Sequence, residues 1–133
     1  MWKAHVQFPG CASSVRDARR FCGQELQHWL GDDQPARDVV GDAQLVVSEL
    51  ITNAVNANCS LAGLTLESDG DCLRIAVRDD ARGWPAARLA DDRDEHGRGL
   101  AIIAAVAVAW GVSEADQGKQ VWAQLRLPPA LAI

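Results

Sequence analysis

The sequence ELITNA, residues 49–54, is the first of three short motifs that are the most informative feature of this chain. The second is VRDDARG, residues 77–83, and the third is GRGL, residues 97–100. Together they supply a carboxylate and a carboxamide one helical turn apart, a strand that ends in Asp, and a glycine pair that opens a helix. In this order and spacing, such residues can hold a purine base, a magnesium ion and a triphosphate.

The length and composition indicate one globular domain over residues 1–133. The chain is 48% hydrophobic and 23% charged, which is typical of a folded domain and too apolar for a disordered one. The net charge is −5 and the basic residues are scattered. This distribution argues against a direct nucleic-acid partner, because phosphate backbones are bound by clustered Lys and Arg.

The sequence also predicts a cytoplasmic protein. The four cysteines have no CxxC pair, which favours free thiols in a reducing compartment. The amino terminus lacks the apolar core of a signal peptide, and the longest apolar run, residues 100–110, is too short to span a bilayer. We therefore expect no membrane contact.

Hydrophobic periodicity predicts the element order strand, helix, helix, two strands, loop, helix, two strands. The predicted ranges are strand 2–8, helices from 14 to about 30 and from about 36 to 58, strands 61–67 and 72–78, a lid over about 80–98, a helix over 99–110, and strands 112–115 and 121–127. Trp110 and Trp122 lie in apolar runs and are expected in the core. Strands in hairpins beneath helices indicate a two-layer α/β (α+β) sandwich, with a mixed, mostly antiparallel sheet covered on one face by about three helices.

The second predicted helix carries a polar stripe. Glu49 and Asn53 are four residues apart and share one face with Asn56. Asn53 can offer a neutral oxygen to magnesium, and Glu49 can accept the proton of an attacking hydroxyl. The alternative is a solvated helix face on which Glu49 pairs with an Arg.

Asp79 falls where the strand that begins at Cys72 ends. An ionised carboxylate is only an acceptor, and adenine presents an exocyclic amino donor, so a buried Asp here can select adenine. Gly83 allows the chain to pass close to a ligand. The alternative is an ordinary Asp at a strand-to-turn junction.

Gly97, Arg98 and Gly99 precede an apolar helix. The N–H groups at a helix start carry partial positive charge, and glycines leave them open to a phosphate. Arg98 can add a charged hydrogen bond. Glycines are also common at helix starts that bind nothing.

These motifs resemble those of the GHKL (HATPase_c) ATPase superfamily, which has the Bergerat ATP-binding fold. Residues 49–58 are similar to its N box, residues 77–85 to its first glycine box, and residues 97–111 to its second. The chain most resembles the short stand-alone anti-sigma factor serine kinases of the RsbW and SpoIIAB type, including in the ending GKQVW, residues 118–122.

The resemblance implies a role for each matching residue. Glu49 corresponds to the catalytic glutamate, Asn53 to the magnesium ligand and Asp79 to the adenine-binding aspartate. The family residues that form the lid hinge and contact the phosphates correspond to Gly97, Gly99 and Leu100. The implied cofactors are ATP and Mg²⁺.

The implied activity is transfer of the γ-phosphoryl group of ATP to a serine of an anti-anti-sigma (STAS) protein. Such a kinase also sequesters a sigma factor and forms a homodimer.

The chain departs from the family pattern at three places. Ala81 replaces the first glycine of the first glycine box, the residues 56–58 (NAN) replace the usual end of the N box, and Gln120 stands where threonine is common. If position 81 requires a left-handed backbone, Ala costs about 1–2 kcal/mol there. Two alternatives remain. One is a catalytically weak or inactive module of the same fold that binds ATP or a protein. The other is a histidine kinase catalytic domain cut from a larger protein.

Overall fold

The computed structural model describes residues 1–81, 95–115, 118–129 and 131. Of residues 95–100 and 115, only the backbone is described. The elements, in chain order, are β1 (Trp2–Pro9), α1 (Ser13–Leu30), α2 (Gln34–Asn56), β2 (Leu61–Ser68), β3 (Cys72–Asp79), α3 (Glu95–Val106), β4 (Ala109–Ala115) and β5 (Gly118–Arg126).

The strands form a five-stranded sheet in the order β1-β2-β3-β5-β4. All four neighbouring pairs within the described sheet are antiparallel. Alternate residues of β2, β3 and β5 are buried, and these buried positions share the face on which the helices pack. The predicted two-layer α/β fold is confirmed.

Helix α2 is the central helix. It packs against α1 and α3 and against strands β2, β3 and β5. Its apolar stripe is completely or almost completely buried. The residues of that stripe are Val46, Val47, Leu50, Ile51 and Ala54.

The prediction of one helix over residues 99–110 is wrong. Helix α3 begins earlier and ends at Val106, and the chain turns at residues 107–108 into the edge strand β4. Pairing with β5 decides this outcome, because the Val108 N–H donates to the Gln124 carbonyl and Trp110 lies opposite Ala123. Apolar periodicity cannot separate a buried helix from a strand in so short a run.

The two tryptophans expected in the core are not there. Trp110 is 37% exposed on β4. Trp122 is half-buried on the sheet face opposite the helices, with the Arg74 guanidinium 5.3 Å from its ring centroid. Its ring covers Gly111, where a Cβ would lie 2.8 Å from it. Within the described residues, no helix is long and apolar enough to cross a bilayer.

Candidate functional site

Helix α2 presents the polar stripe that the sequence predicts. Asp33 caps its first turn, and Glu49 and Asn53 are half-buried one turn apart near its end. Asn56, the last residue of the helix, is exposed. Glu49 and Asn53 therefore share one face of α2, beside the stripe that is buried in the core.

Asp79 is the last residue of β3 and points to the helix side of the sheet. It is only 4% exposed, so it is not an ordinary solvated turn residue. Its Oδ1 accepts a hydrogen bond of 2.9 Å from the Ala81 N–H. A buried carboxylate needs such partners because desolvation of an unpaired charge is costly.

A buried ion pair joins Asp79 to Lys119. The Lys119 Nζ lies 3.0 Å from both Oδ1 and Oδ2 of Asp79. The side chains are 4% exposed for Lys119 and 2% for Asp79. Sequence analysis missed Lys119, because no local pattern marks a buried lysine; its partner follows only from the register of β3 and β5, which places the two residues opposite each other.

Gly118 makes this junction possible. It has φ of +149°, a conformation that favours glycine. A Cβ here would lie 1.8 Å from the Asp79 carbonyl oxygen. The first residue of β5 can therefore approach the end of β3 only if it is glycine.

The connection after α2 leads to the same end of the sheet. Asp80 Oδ1 accepts hydrogen bonds from the N–H groups of Ser60 and Leu61 at 2.7 and 3.2 Å. These bonds lower the pKa of the Asp80 carboxyl. Burial raises the pKa of the Cys59 thiol, and the negative charges of Asp79 and Asp80 add to the effect. The end of α2, the start of β2, the end of β3 and the start of β5 thus meet around Asp79.

The energetic cost of placing Ala in a left-handed backbone does not apply to Ala81. Ala81 is buried in the core, and Asn58 is the one non-glycine residue of the described chain with positive φ, at 63°. Ala81 therefore needs no left-handed backbone. The departure from glycine at this position leaves the end of β3 intact.

The predicted phosphate motif lies inside helix α3 and not before it. Gly97 and Gly99 are the third and fifth residues of the helix, and Arg98 and Leu100 belong to its first turns. Gly83 and most of the predicted lid lie outside the described residues.

A magnesium ion at this site would need most of its ligands from phosphates and water. They contain no group of three His, Cys, Asp or Glu side chains that could bind a metal by itself. Asn53 offers one amide oxygen, and magnesium takes few protein ligands and completes its shell with phosphate oxygens and water.

A cavity of about 410 Å³ lies at the other end of the sheet. It is lined by the stacked rings of Trp2 and Trp29, whose centroids are 4.5 Å apart, and by Ser68 and Gly70 near the β2–β3 turn. Asp79 is at the opposite end of β3. This cavity therefore does not belong to the candidate site.

Comparison with known proteins identifies the family. The model of the histidine kinase-like ATPase domain matches residues 8–125. This chain belongs to that family. Membership implies that the domain binds ATP. No curated protein sequence matches significantly.

Solved structures show the same fold for this histidine kinase-like ATPase domain. A crystal structure of the RsbU and RsbW domains of a Mycobacterium tuberculosis protein matches with a TM-score of 0.65 and 19% identity, covering 100% of this chain and 35% of that one. The histidine kinase domain of a blue-light-activated histidine kinase from Erythrobacter litoralis matches with a TM-score of 0.53 and 20% identity, covering 85% and 61%. The chain thus spans less than two thirds of both proteins.

Proposed function

We propose that this ATPase domain is an ATP-dependent protein serine kinase that acts as an anti-sigma factor. The observation that carries the proposal is the buried Asp79 at the sheet end where α2 also ends, with Glu49 and Asn53 half-buried on that helix. The likeness to an RsbW domain supports the regulatory part of the proposal.

Each group then has one chemical task. Glu49 accepts the proton of the attacking serine hydroxyl, and the Asn53 amide oxygen holds Mg²⁺, which neutralises charge on the phosphates. Asp79 accepts a hydrogen bond from the base. Other nucleotide contacts come from Asn56, Gly83, the backbone of residues 97–100 and the Arg98 side chain.

The proposed partners are proteins. The serine belongs to an anti-anti-sigma (STAS) protein in the cytoplasm, and the kinase sequesters a sigma factor when that protein is not bound. The kinase acts as a homodimer. Neither nucleic acid nor a membrane is a direct partner.

Phosphoryl transfer with a glutamate variant tests the kinase. We expect wild type to label its cognate STAS protein from γ-labelled ATP and Mg²⁺, and Glu49→Gln to lose about 10²–10⁴-fold in rate, the usual contribution of a general base. Asp42→Asn, an exposed acidic position on the same helix, should keep the wild-type rate. Equal labelling by wild type and Glu49→Gln would remove Glu49 from the mechanism.

A second candidate is a catalytically weak or inactive module that binds ATP or a regulator without phosphoryl transfer. The residues 56–58 (NAN) favour it, because they depart from the usual end of the N box. Calorimetric titration with MgATP separates the two. Nucleotide binding without any labelling of the STAS protein would support the binding module.

A further inference from the structure

The ion pair between Asp79 and Lys119 lies where the proposed function places the base. Register pairs the end of β3 with the start of β5, and both side chains point into the helix–sheet interface. Each side chain is less than 5% exposed. A nucleotide whose base reaches Asp79 must therefore also meet Lys119.

The hydrogen bonds of Asp79 are largely committed before any ligand binds. Oδ1 accepts from the Ala81 N–H at 2.9 Å and from Lys119 Nζ at 3.0 Å. Oδ2 lies 3.0 Å from the same Nζ. A carboxylate without a neighbouring cation offers only hydrogen-bond acceptors, which suits the amino group of adenine. Here a cation holds both oxygens.

The ammonium changes the chemistry that the site presents. Lys has three N–H donors and no acceptor, and two of its donors suffice for the two carboxylate oxygens. A carboxylate with an ammonium beside it is a combined acceptor and donor. Guanine has a keto acceptor where adenine has its amino donor, and its neighbouring ring N–H is a donor. The pair can therefore match either purine.

We propose that Lys119 is a specificity-determining residue that relaxes the selectivity of the site for adenine over guanine. This inference rests on the proposed function, since it requires the base to reach Asp79. Without Lys119, Asp79 would reject the guanine keto group, because two acceptors cannot form a hydrogen bond. With Lys119, the keto group gains a charged donor.

The test compares MgATP and MgGTP affinities of the full chain by calorimetry. For wild type we expect dissociation constants that differ by less than about thirtyfold, the effect of one charge-assisted hydrogen bond. Lys119→Ser removes the ammonium donor and should shift the ratio toward ATP by at least about thirtyfold. Lys119→Arg keeps a charged donor and should keep the relaxed ratio.

The control is Lys3→Ser, because Lys3 is the only other lysine of the sequence and is exposed on β1. It should leave both affinities unchanged. If Lys119→Ser does not fold, as judged by circular dichroism, the ratio of the MgATP and MgGTP dissociation constants of wild type still tests the inference.

Two results would overturn the inference alone. One is a wild-type preference for ATP greater than about thirtyfold, and the other is an unchanged ratio in folded Lys119→Ser. If wild type binds neither nucleotide, the proposed function fails, and the role of Lys119 fails with it. The affinities of wild type thus distinguish a wrong site from a wrong role for Lys119.

Discussion

At the scale of the residue, the fold shifts the pKa values of two cysteine thiols in opposite directions. Cys11 is exposed just before α1, and its Sγ lies 3.3 Å from the Ser13 Oγ and 3.6 Å from the Ser14 Oγ. Hydrogen bonds with Ser13, and then with Ser14, lower the pKa of the Cys11 thiol. Cys22 is completely buried on α1, and burial raises the pKa of its thiol to about 12.

These differences predict selective labelling of the native protein at pH 8. Since the thiolate is the nucleophile, Cys11 should react first with a maleimide, and Cys22 should react only after unfolding. Peptide mass spectrometry at several reaction times measures both sites, and Cys11→Ser should remove the fastest modification. Modification of Cys22 in the folded protein as fast as Cys11 would contradict the assignment.

At the scale of the element, Asp33 fixes the start of α2. Its backbone is extended, with φ −71° and ψ 173°, and its Oδ1 accepts a 3.0 Å hydrogen bond from the Ala36 N–H. Pro35 lies in the first turn, where its missing N–H costs nothing. This cap satisfies one of the donors that a helix start leaves without a partner.

Removal of this cap should weaken the protein measurably. We expect Asp33→Ala to lower the free energy of unfolding by about 1 kcal/mol, the usual cost of a lost N-cap. Asp32→Ala, an exposed neighbour outside the helix, should change it by less than about 0.5 kcal/mol. Urea denaturation measures both variants, and equal effects would show that the cap has no specific role.

At the scale of the whole molecule, one core joins the three described helices to one face of the sheet. Leu50 and Leu45 lie on the same helix, yet Leu50 is 1% exposed and Leu45 is 40% exposed. The two leucines therefore allow a matched test of what burial contributes to stability.

Truncation of each leucine should have very different results. Leu50→Ala should lower the free energy of unfolding by about 2–5 kcal/mol, because it removes buried methyl groups and leaves a cavity. Leu45→Ala should change it by less than about 0.5 kcal/mol. Urea midpoints at an unchanged slope give both values. A similar loss in both variants would mean that Leu45 is also buried, for example by another protein chain.

Local patterns in the sequence predicted the sandwich and the helix that carries Glu49 and Asn53. Alternation along β2 and β3 and the apolar stripe of α2 are local patterns, and they specify which face of each element is buried. The prediction that a strand ends at Asp79 depends on the same alternation. These features could be predicted because neighbours in the chain determine them.

The split between α3 and β4 and the partner of Asp79 depend on tertiary contacts. The apolar run after residue 99 is compatible with helix and strand alike, and hydrogen bonds to β5 select the strand for its second half. Lys119 is forty positions from Asp79 in sequence, and only strand register brings them together. Long-range pairing leaves no local pattern, which is why the sequence predicted the carboxylate and missed its cation.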